Sequence, residues 1–417
     1  MKYAVIGLAA LSIVFAHNFH GVALAPDNIH GWVVCLDTVL IFSTNDGGVT
    51  WEEQTAPEDA EKLFDVTCVD ALQAWTVGIV GQILHTNNGG MDWYIQWPGF
   101  SKYGTRVEFI DNEYGWAACG DGAVGRTTSG GSTWETIFTP WASAEFYGVS
   151  FVNEYDGWIV AGYPDSLLTG QGLILNSTDG GINWNSLYES PTYEDFFDVH
   201  FFHLYDGIVV GGDEIDYSPL ILRTTNGGTD WDTVDAPANA YYLRAVDFVG
   251  NQGWAVGRFG TIIHTDDGGM TWSFQDNPAV NTLFDVDFSD TLHGLACGDG
   301  IILRTSDGGQ SWYESALLEN KSAGVHQASL RAYPNPFSKL ISINFEVDSR
   351  QYPVGSLHIY DVTGTLVKQW NHPAIQQCNH IVWDGTDDGG NRVPAGVYIV
   401  CLESDELIAT EKVTVLR

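Results

Sequence analysis

The chain has 417 residues, 53 acidic against 17 basic, with 47 glycines and 16 tryptophans. Its 44% hydrophobic and 13% aromatic content rules out wholesale disorder, and a formal charge of −36 argues against nucleic acid or an anionic membrane as partner. Abundant glycine without a G-X-Y period, many tryptophans and little charge suggest an all-β chain of short strands and tight turns.

Lys2 precedes an apolar run over residues 4–16, and Val14-Phe15-Ala16 puts small residues at −3 and −1 of a cut. The run is too short to span a bilayer and reads as a signal peptide, residues 1–16, with the mature chain starting at His17. No later segment reaches the ~18 apolar residues of a membrane span. The expected product is secreted or held at the cell surface, reached through the periplasm.

From residue 17 the sequence repeats. Trp51, Trp93, Trp134, Trp184, Trp231, Trp272 and Trp312 each end an eight-residue motif, and are spaced by 42, 41, 50, 47, 41 and 40 residues. The clearest copies are Thr44-Asn45-Asp46-Gly47-Gly48-Val49-Thr50-Trp51 and Thr265-Asp266-Asp267-Gly268-Gly269-Met270-Thr271-Trp272. That period suits a four-stranded propeller blade. Upstream of each motif come a Phe-Asp-Val-like strand (Phe64-Asp65-Val66, Phe197-Asp198-Val199, Phe284-Asp285-Val286) and a Gly-Trp strand (Gly31-Trp32, Gly115-Trp116, Gly157-Trp158, Gly253-Trp254). The long fourth and fifth units carry insertions at 163–172 and 213–219.

Twelve of the sixteen tryptophans occupy two repeat positions and read as core. Asp46, Asp179, Asp267 and Asp307 recur in equivalent turns, so they read as structural acceptors of turn amides rather than site acids. Asn88, Ser129 and Asn226 replace Asp in the other turns, while Asp92, Asn183 and Asp230 replace Thr. Asp65, Asp198 and Asp285 are placed to fringe the axial opening and make it acidic. Cys35, Cys119 and Cys297 share one repeat position, expected to lie far apart around the ring and to be small core residues, as is Cys68. Cys378 and Cys401 are the two placed to pair. The histidines show no ligand spacing, so neither a metal nor another cofactor is expected.

The turn resembles the Asp-box, Ser/Thr-x-Asp-x-Gly-x-Thr-Trp, in all seven units. Gly-Trp-Ala-Val-Gly (253–257) followed by the 260–272 segment resembles most the photosystem II assembly-factor type of propeller, over roughly residues 17–320. That resemblance implies a seven-bladed, non-enzymatic scaffold or protein-binding ring, and the photosynthetic role is not carried over; the ligand itself, protein or glycan, is left open by the sequence. Sialidases, which share the Asp-box, use three converging arginines, one in an Arg-Ile-Pro segment, and a Tyr–Glu pair. Here Arg126, Arg223 and Arg304 share one repeat position before the turn, and there is no Arg-Ile-Pro. Arg106, Arg244 and Arg258 are instead placed toward the axial face and are the candidate ligand-binding residues. A glycan-acting hydrolase and a structural surface-layer component are the alternatives.

After Trp312 the repeats stop, and residues 320–330 read as a linker. Residues 331–417 hold 10 acids against 7 bases, whereas 17–330 hold 43 against 9, so the acidity belongs to the ring. Tyr333-Pro334-Asn335-Pro336-Phe337, the alternation Leu357-His358-Ile359-Tyr360-Asp361, Trp383-Asp384-Gly385, Gly396-Val397-Tyr398 and the final Lys412-Val413-Thr414-Val415 suit a β-sandwich. Asp384, Asp387 and Asp388 lack calcium-loop spacing and read as a hairpin turn. In order and spacing the segment resembles the type A C-terminal sorting domain of the type IX (Por) secretion system, which is similar to the Ig-like domain of flagellar hook-capping proteins. That implies the type IX machinery as partner. The expected architecture is a seven-bladed β-propeller, residues 17–319, followed by an Ig-like β-sandwich.

Overall fold

The computed structural model describes residues 17–96, 103–163, 172–192, 194–213, 215–318, 329–333, 337–346, 356–361, 365–371, 380–404 and 407–416. Residues 1–16, expected to be a signal peptide, most of the expected linker, residues 164–171 of the first insertion and Cys378 lie outside them. The chain divides into two compact units, Met1–Glu319 and Asn320–Arg417. Among the described residues no helix is long and apolar enough to cross a membrane.

The first unit is a ring of seven antiparallel four-stranded blades, each a consecutive stretch of chain: 19–54, 63–96, 104–138, 145–189, 195–233, 243–274 and 283–314. Both ends of this unit lock it shut. His17 accepts the Gly300 N–H at 2.9 Å and Asn18 bridges Asp299. Ala316–Leu317 pairs in parallel with Thr50 and Trp51, adding a fifth strand to blade 1.

Each Asp-box is a closed hydrogen-bond cage. In blade 1 the Thr44 hydroxyl donates to Asp46 Oδ1 (2.8 Å) and accepts the Gly48 N–H (2.9 Å). Asp46 also accepts the Thr50 N–H and hydroxyl at 2.9 and 2.6 Å. The glycine pair is required by geometry: Gly47 and Gly48 sit at φ 70° and 81°, and a Cβ on Gly48 would fall 2.5 Å from Leu295 Cδ2 of blade 7. The first glycine of all seven boxes donates its N–H to the hairpin between strands one and two of its own blade, as Gly89 does to Leu72.

Tryptophans join blade to blade. Trp75, Trp116, Trp158 and Trp254 each stack on the phenylalanine ending the next blade's first strand, with centroids 3.5–3.7 Å apart. The next Asp-box tryptophan meets that phenylalanine edge-on, as Trp184 meets Phe151 at 89°. Such pairs contribute about 0.5–1.5 kcal/mol each beyond area burial. The first-named tryptophans also donate across the seam to an Asp-box carbonyl, Trp116 to Gly180 at 2.9 Å. One expectation changes here. Cys35 and Cys297 share a single hydrophobic cluster, because ring closure makes blades 1 and 7 neighbours. Cys35, Cys68, Cys119 and Cys297 are free thiols, raised above the ordinary thiol range by burial.

The second unit packs a three-stranded sheet (Ser329–Tyr333, Ile341–Glu346, His380–Trp383) with a four-stranded one (Leu366–Asn371, Ser356–Asp361, Gly396–Ser404, Leu407–Val415). Alternate residues Ile341, Ile343, Leu357, Ile359, Val413 and Val415 form its core around Trp383. Asp384 and Asp387 accept turn hydrogen bonds, from Thr386 (N–H 3.1 Å, hydroxyl 2.6 Å) and the Asn391 N–H (2.8 Å), and Asp388 accepts the Gln369 N–H at 3.3 Å. Gly385 and Gly390 take positive φ there.

Candidate functional site: the axial mouth

The first strand of every blade lines the axis, and all seven carry a β-bulge at one repeat position. The unpaired residues are His20, Phe64, Thr105, Tyr147, Phe197, Arg244 and Phe284. A bulge re-aims a side chain, and these seven face a cavity of about 330 Å³ at one mouth of the ring, shared with Tyr103. The mouth is strongly aromatic. His20 stacks on Phe284 with centroids 5.0 Å apart, meets Phe64 edge-on at 5.4 Å, and Tyr147 lies 5.6 Å from Phe197.

One residue further in, the seven positions read Gly21, Asp65, Arg106, Gly148, Asp198, Ala245 and Asp285. They form three pairs of a small residue followed by Asp in the next blade, plus one arginine. The small residues make room: a Cβ on Gly21 would lie 2.6 Å from Asp65 Cα, and one on Gly148 2.8 Å from Asp198 Cα. Each aspartate accepts a backbone N–H from the blade after its own: Val107 on Asp65 (2.8 Å), Val246 on Asp198 (3.0 Å) and Val22 on Asp285 (2.8 Å). Arg106 reaches across the axis to all three, Nη1 at 2.6 Å from Asp285 and 3.7 Å from Asp65, Nη2 at 3.1 Å from Asp198. Together they form the floor of the mouth.

The electrostatics follow from burial. Desolvation pushes Asp65 up to about 7 and Asp198 up to about 6, against the pull of Arg106 toward the charged form. Burial opposes the Arg106 charge too, but Asp198, Asp285 and Asp65 outweigh it and raise its pKa. His20 is pushed down to about 4, chiefly by burial, with Arg244 and Arg106 adding repulsion against a bond to the Phe64 carbonyl that works the other way. Its Nδ1 lies 2.8 Å from that carbonyl, so Nδ1 carries the proton of the neutral ring.

Below the floor the next inward-facing positions include Glu108, His200, Asp247 and Asp287, around a second cavity of about 340 Å³. These acids clamp blades as well: Glu108 accepts the Phe151 N–H (2.8 Å), Asp247 that of Phe288 (2.8 Å) and Asp287 that of Leu24 (2.6 Å). Burial pushes Glu108 up to about 8 and Asp287 up to about 7. Among the described residues no group of three His, Cys, Asp or Glu could hold a metal ion.

Of the three arginines singled out from sequence, Arg106 and Arg244 line this mouth, and Arg258 sits beside it on Tyr242. Arg106 is in the floor and Arg244 in the wall, its guanidinium 4.2 Å from the Phe197 ring. Arg258 comes from the loop between strands two and three of blade 6, over Tyr217 of the 213–219 insertion at 4.1 Å. Arg244 and Arg258 both donate to the Tyr242 hydroxyl, at 3.4 and 3.1 Å. Sequence reasoning missed Tyr242, Phe197 and the bulge. It also missed that Thr105-Arg106-Val107 aligns with Phe64-Asp65-Val66, which sets an arginine in an aspartate position.

Residues 6–96 and 183–278 match the family Photosynthesis system II assembly factor YCF48, and residues 339–406 match the FlgD Ig-like domain. The first match supports a YCF48-type BNR propeller. One relative is the Photosystem II assembly lipoprotein Ycf48 of Synechococcus sp. (strain CC9902), 31% identical over 102 residues, 23% of this chain and 31% of that protein. Another is the chloroplastic Photosystem II stability/assembly factor HCF136 of Oryza sativa subsp. japonica, 25% identical over 43% of this chain and 45% of its own. The chain thus spans about a third to a half of the curated relatives it matches.

The YCF48 structure described as bound to D1 peptide superposes with a TM-score of 0.56 at 20% identity, covering 70% of this chain and 93% of that one. PorZ, a surface component of the type-IX secretion system of Porphyromonas gingivalis, superposes at 0.52 and 13% identity over 96% of this chain and 60% of its own. At these identities the likeness shows the fold. The curated relatives are photosystem II assembly or stability factors.

Proposed function

We propose that the ring is a non-enzymatic protein-binding module presented outside the cell, delivered there by residues 331–417 acting as a type IX sorting domain. The observation that carries the binding role is the mouth itself. It is a concave, largely aromatic cavity with a few converging polar groups, the usual form of a recognition site, on a floor that holds the blades together. The described contacts of the nearby carboxylates are backbone clamps, the Arg106 pairing, a hydrogen bond from the Tyr103 hydroxyl to Glu145 (2.5 Å) and the approach of His200 to Asp247 (3.6 Å). Likeness to assembly factors, one of them seen with a peptide, favours a polypeptide as ligand. The sandwich motifs and the FlgD Ig-like match favour the export role.

Two experiments test this reading. Deleting residues 331–417 should leave the ring in the periplasm; undiminished delivery to the surface or medium would refute the sorting role. The full chain used as bait on native cell-envelope extract should retain a specific polypeptide. Turnover of fluorogenic glycosides that is lost in Glu108→Gln would instead make the protein a hydrolase.

A further inference from the structure

The seam that closes the ring differs from the other six. Every other pair of neighbouring blades is joined by the chain itself. Blade 7 meets blade 1 through non-covalent contacts only, among them the Ala316–Leu317 strand. Those contacts are also poorer in rings. At the seams after blades 2, 3, 4 and 6 a tryptophan stacks on a phenylalanine. The seams after blades 1 and 5 each keep one of the two, Trp32 and Phe248. The closing seam keeps neither, with Leu295 at the tryptophan position and Leu24 at the phenylalanine position.

The same seam sets two thiols opposite each other. Cys35 pairs with Phe19, just before the bulge of its neighbouring strand, whereas Cys297 pairs with Asp285, just after the equivalent bulge. Cys297 therefore stands one repeat position before Cys35, not at the same one as the sequence suggests. A one-residue offset turns a strand side chain to the opposite face of its sheet. Cys35 faces blade 7 and Cys297 faces blade 1, and both enter the cluster between those blades as fully buried free thiols. Other seams show how much room this layer allows. Ala118 faces Ala161 and Val160 faces Gly211, so two or three side-chain carbons fill the gap. A disulfide suits a similar gap, its Cβ atoms about 3.5–4.5 Å apart. Cys119, at the seam after blade 2, faces Val77 rather than a second sulfur.

We propose that Cys35 and Cys297 are a cross-linking site, where oxidation joins their Sγ atoms in a disulfide that fastens blade 7 to blade 1. The two thiols give up two electrons and two protons. A small-molecule or protein disulfide accepts them and leaves as two thiols. The bond closes nearly the whole ring into one loop, and cross-links across long loops constrain the unfolded chain most. Burial raises both thiols above their ordinary range, so the attacking thiolate is scarce while the seam is shut. The cross-link therefore forms as the ring folds, and once formed it is shielded from reductants.

The test refolds the purified full chain from denaturant with a mixture of oxidised and reduced glutathione, and in parallel with dithiothreitol. Mass spectrometry of an unreduced digest should find peptides linked through Cys35 and Cys297. Melting is compared in a chain carrying Cys378→Ser and Cys401→Ala, which takes the second unit out of the redox difference. The oxidised form should melt about 5 °C or more above the reduced one. Adding Cys35→Ala or Cys297→Ala should abolish the linked peptides and the difference in midpoint, while Cys119→Ala should keep both. Midpoints under dithiothreitol check that every variant folds. Absence of the Cys35–Cys297 link after oxidative refolding, a link made instead with Cys68 or Cys119, or equal midpoints of the two forms would overturn the proposal. None of these outcomes bears on the binding or export readings, which the envelope and deletion experiments test separately.

Discussion

Asp267 in the rim turn of blade 6 and Asp198 at the axis of blade 5 both accept two backbone N–H groups, yet they titrate in opposite directions. Desolvation is the largest single influence on the exposed Asp267 and pushes upward, but the Thr271 hydroxyl and amide, the Thr265 hydroxyl and the Met270 amide together outweigh it and hold it down at about 2. Asp198 takes the Val199 and Val246 amides at 3.0 Å and Arg106 at 3.1 Å, but burial raises it to about 6. Hydrogen bonds alone do not set the charge state; access to water does. The rim uses aspartate as a wet turn-former, whereas the axis uses it as a dry clamp that depends on one arginine.

The sharpest way to break this contrast is to remove that arginine. Arg106→Met should destabilise the ring by about 3–5 kcal/mol at neutral pH, because three buried carboxylates lose their counter-charge. Part of the loss should return near pH 5.5, where Asp65 and Asp198 take up protons. Asp267→Ala at the rim should cost only about 1 kcal/mol, with no acid recovery. Guanidinium unfolding at both pH values reads the difference. A smaller loss for Arg106→Met than for Asp267→Ala would remove the claim that the axis is the more dependent region.

The wild-type pH profile separates the regions next. Asp198, Asp65, Asp287 and Glu108 are raised in the fold to about 6, 7, 7 and 8. Their contribution is complete below the unfolded values and is lost as pH rises through the folded ones. From pH 8 to about 6.5 the folded chain therefore takes up more protons than the unfolded one, and the thermal midpoint should rise. Below 6.5, His20 and His200, both lowered to about 4, work the other way, since the unfolded chain then binds more protons. Asp267 and Asp290, held at about 2, should cost stability only below about pH 4. The maximum should thus lie on the acid side of neutrality, and Glu108→Gln should flatten the alkaline limb. A midpoint that climbs steadily from pH 6 to 8 would contradict the raised axial values.

The blades were legible in the sequence because each Asp-box needs local chemistry that few residues supply. Gly47-Gly48 and its six equivalents occupy positive φ, and Thr44, Asp46 and Thr50 bond within seven residues of one another. The sandwich was legible through alternation, as in Leu357 and Ile359 facing the core. The mouth was legible only in part. Arg106, Arg244 and Arg258 could be placed toward one face from their repeat positions. That Asp65, Asp198 and Asp285, from blades 2, 5 and 7, converge on Arg106 of blade 3 depends on ring closure, which no local pattern encodes. The bulge at His20, Phe64 and their equivalents has no residue type of its own, since the bulged positions hold His, Phe, Thr, Tyr and Arg. A marker was present all the same: valine two residues after the bulged position in all seven blades, from Val22 to Val286.

The smallest expected effect returns to the rim. In blade 2 the Asp-box pair is reversed: Asn88 Nδ2 donates to Asp92 Oδ2 at 2.9 Å, and the Asp92 N–H donates to Asn88 Oδ1 at 3.0 Å. Asn226 and Asp230 repeat this in blade 5, whereas Asp46 with Thr50 and Asp267 with Thr271 hold the carboxylate first. Six of the seven turns thus set one carboxylate against one donor across those two positions, in either order, while blade 3 uses two hydroxyls, Ser129 and Thr133, 3.0 Å apart. Asn88→Asp alone sets two carboxylates face to face and should cost about 1 kcal/mol at pH 7, easing in high salt. Asp92→Thr alone keeps a donor opposite the amide oxygen and should cost a few tenths. Combined, they recreate the blade 6 arrangement, so the double variant should recover most of the first loss, a coupling of about 1 kcal/mol. Additive losses would mean that each polar position acts alone, and that the rim cages are less cooperative than their shared geometry indicates.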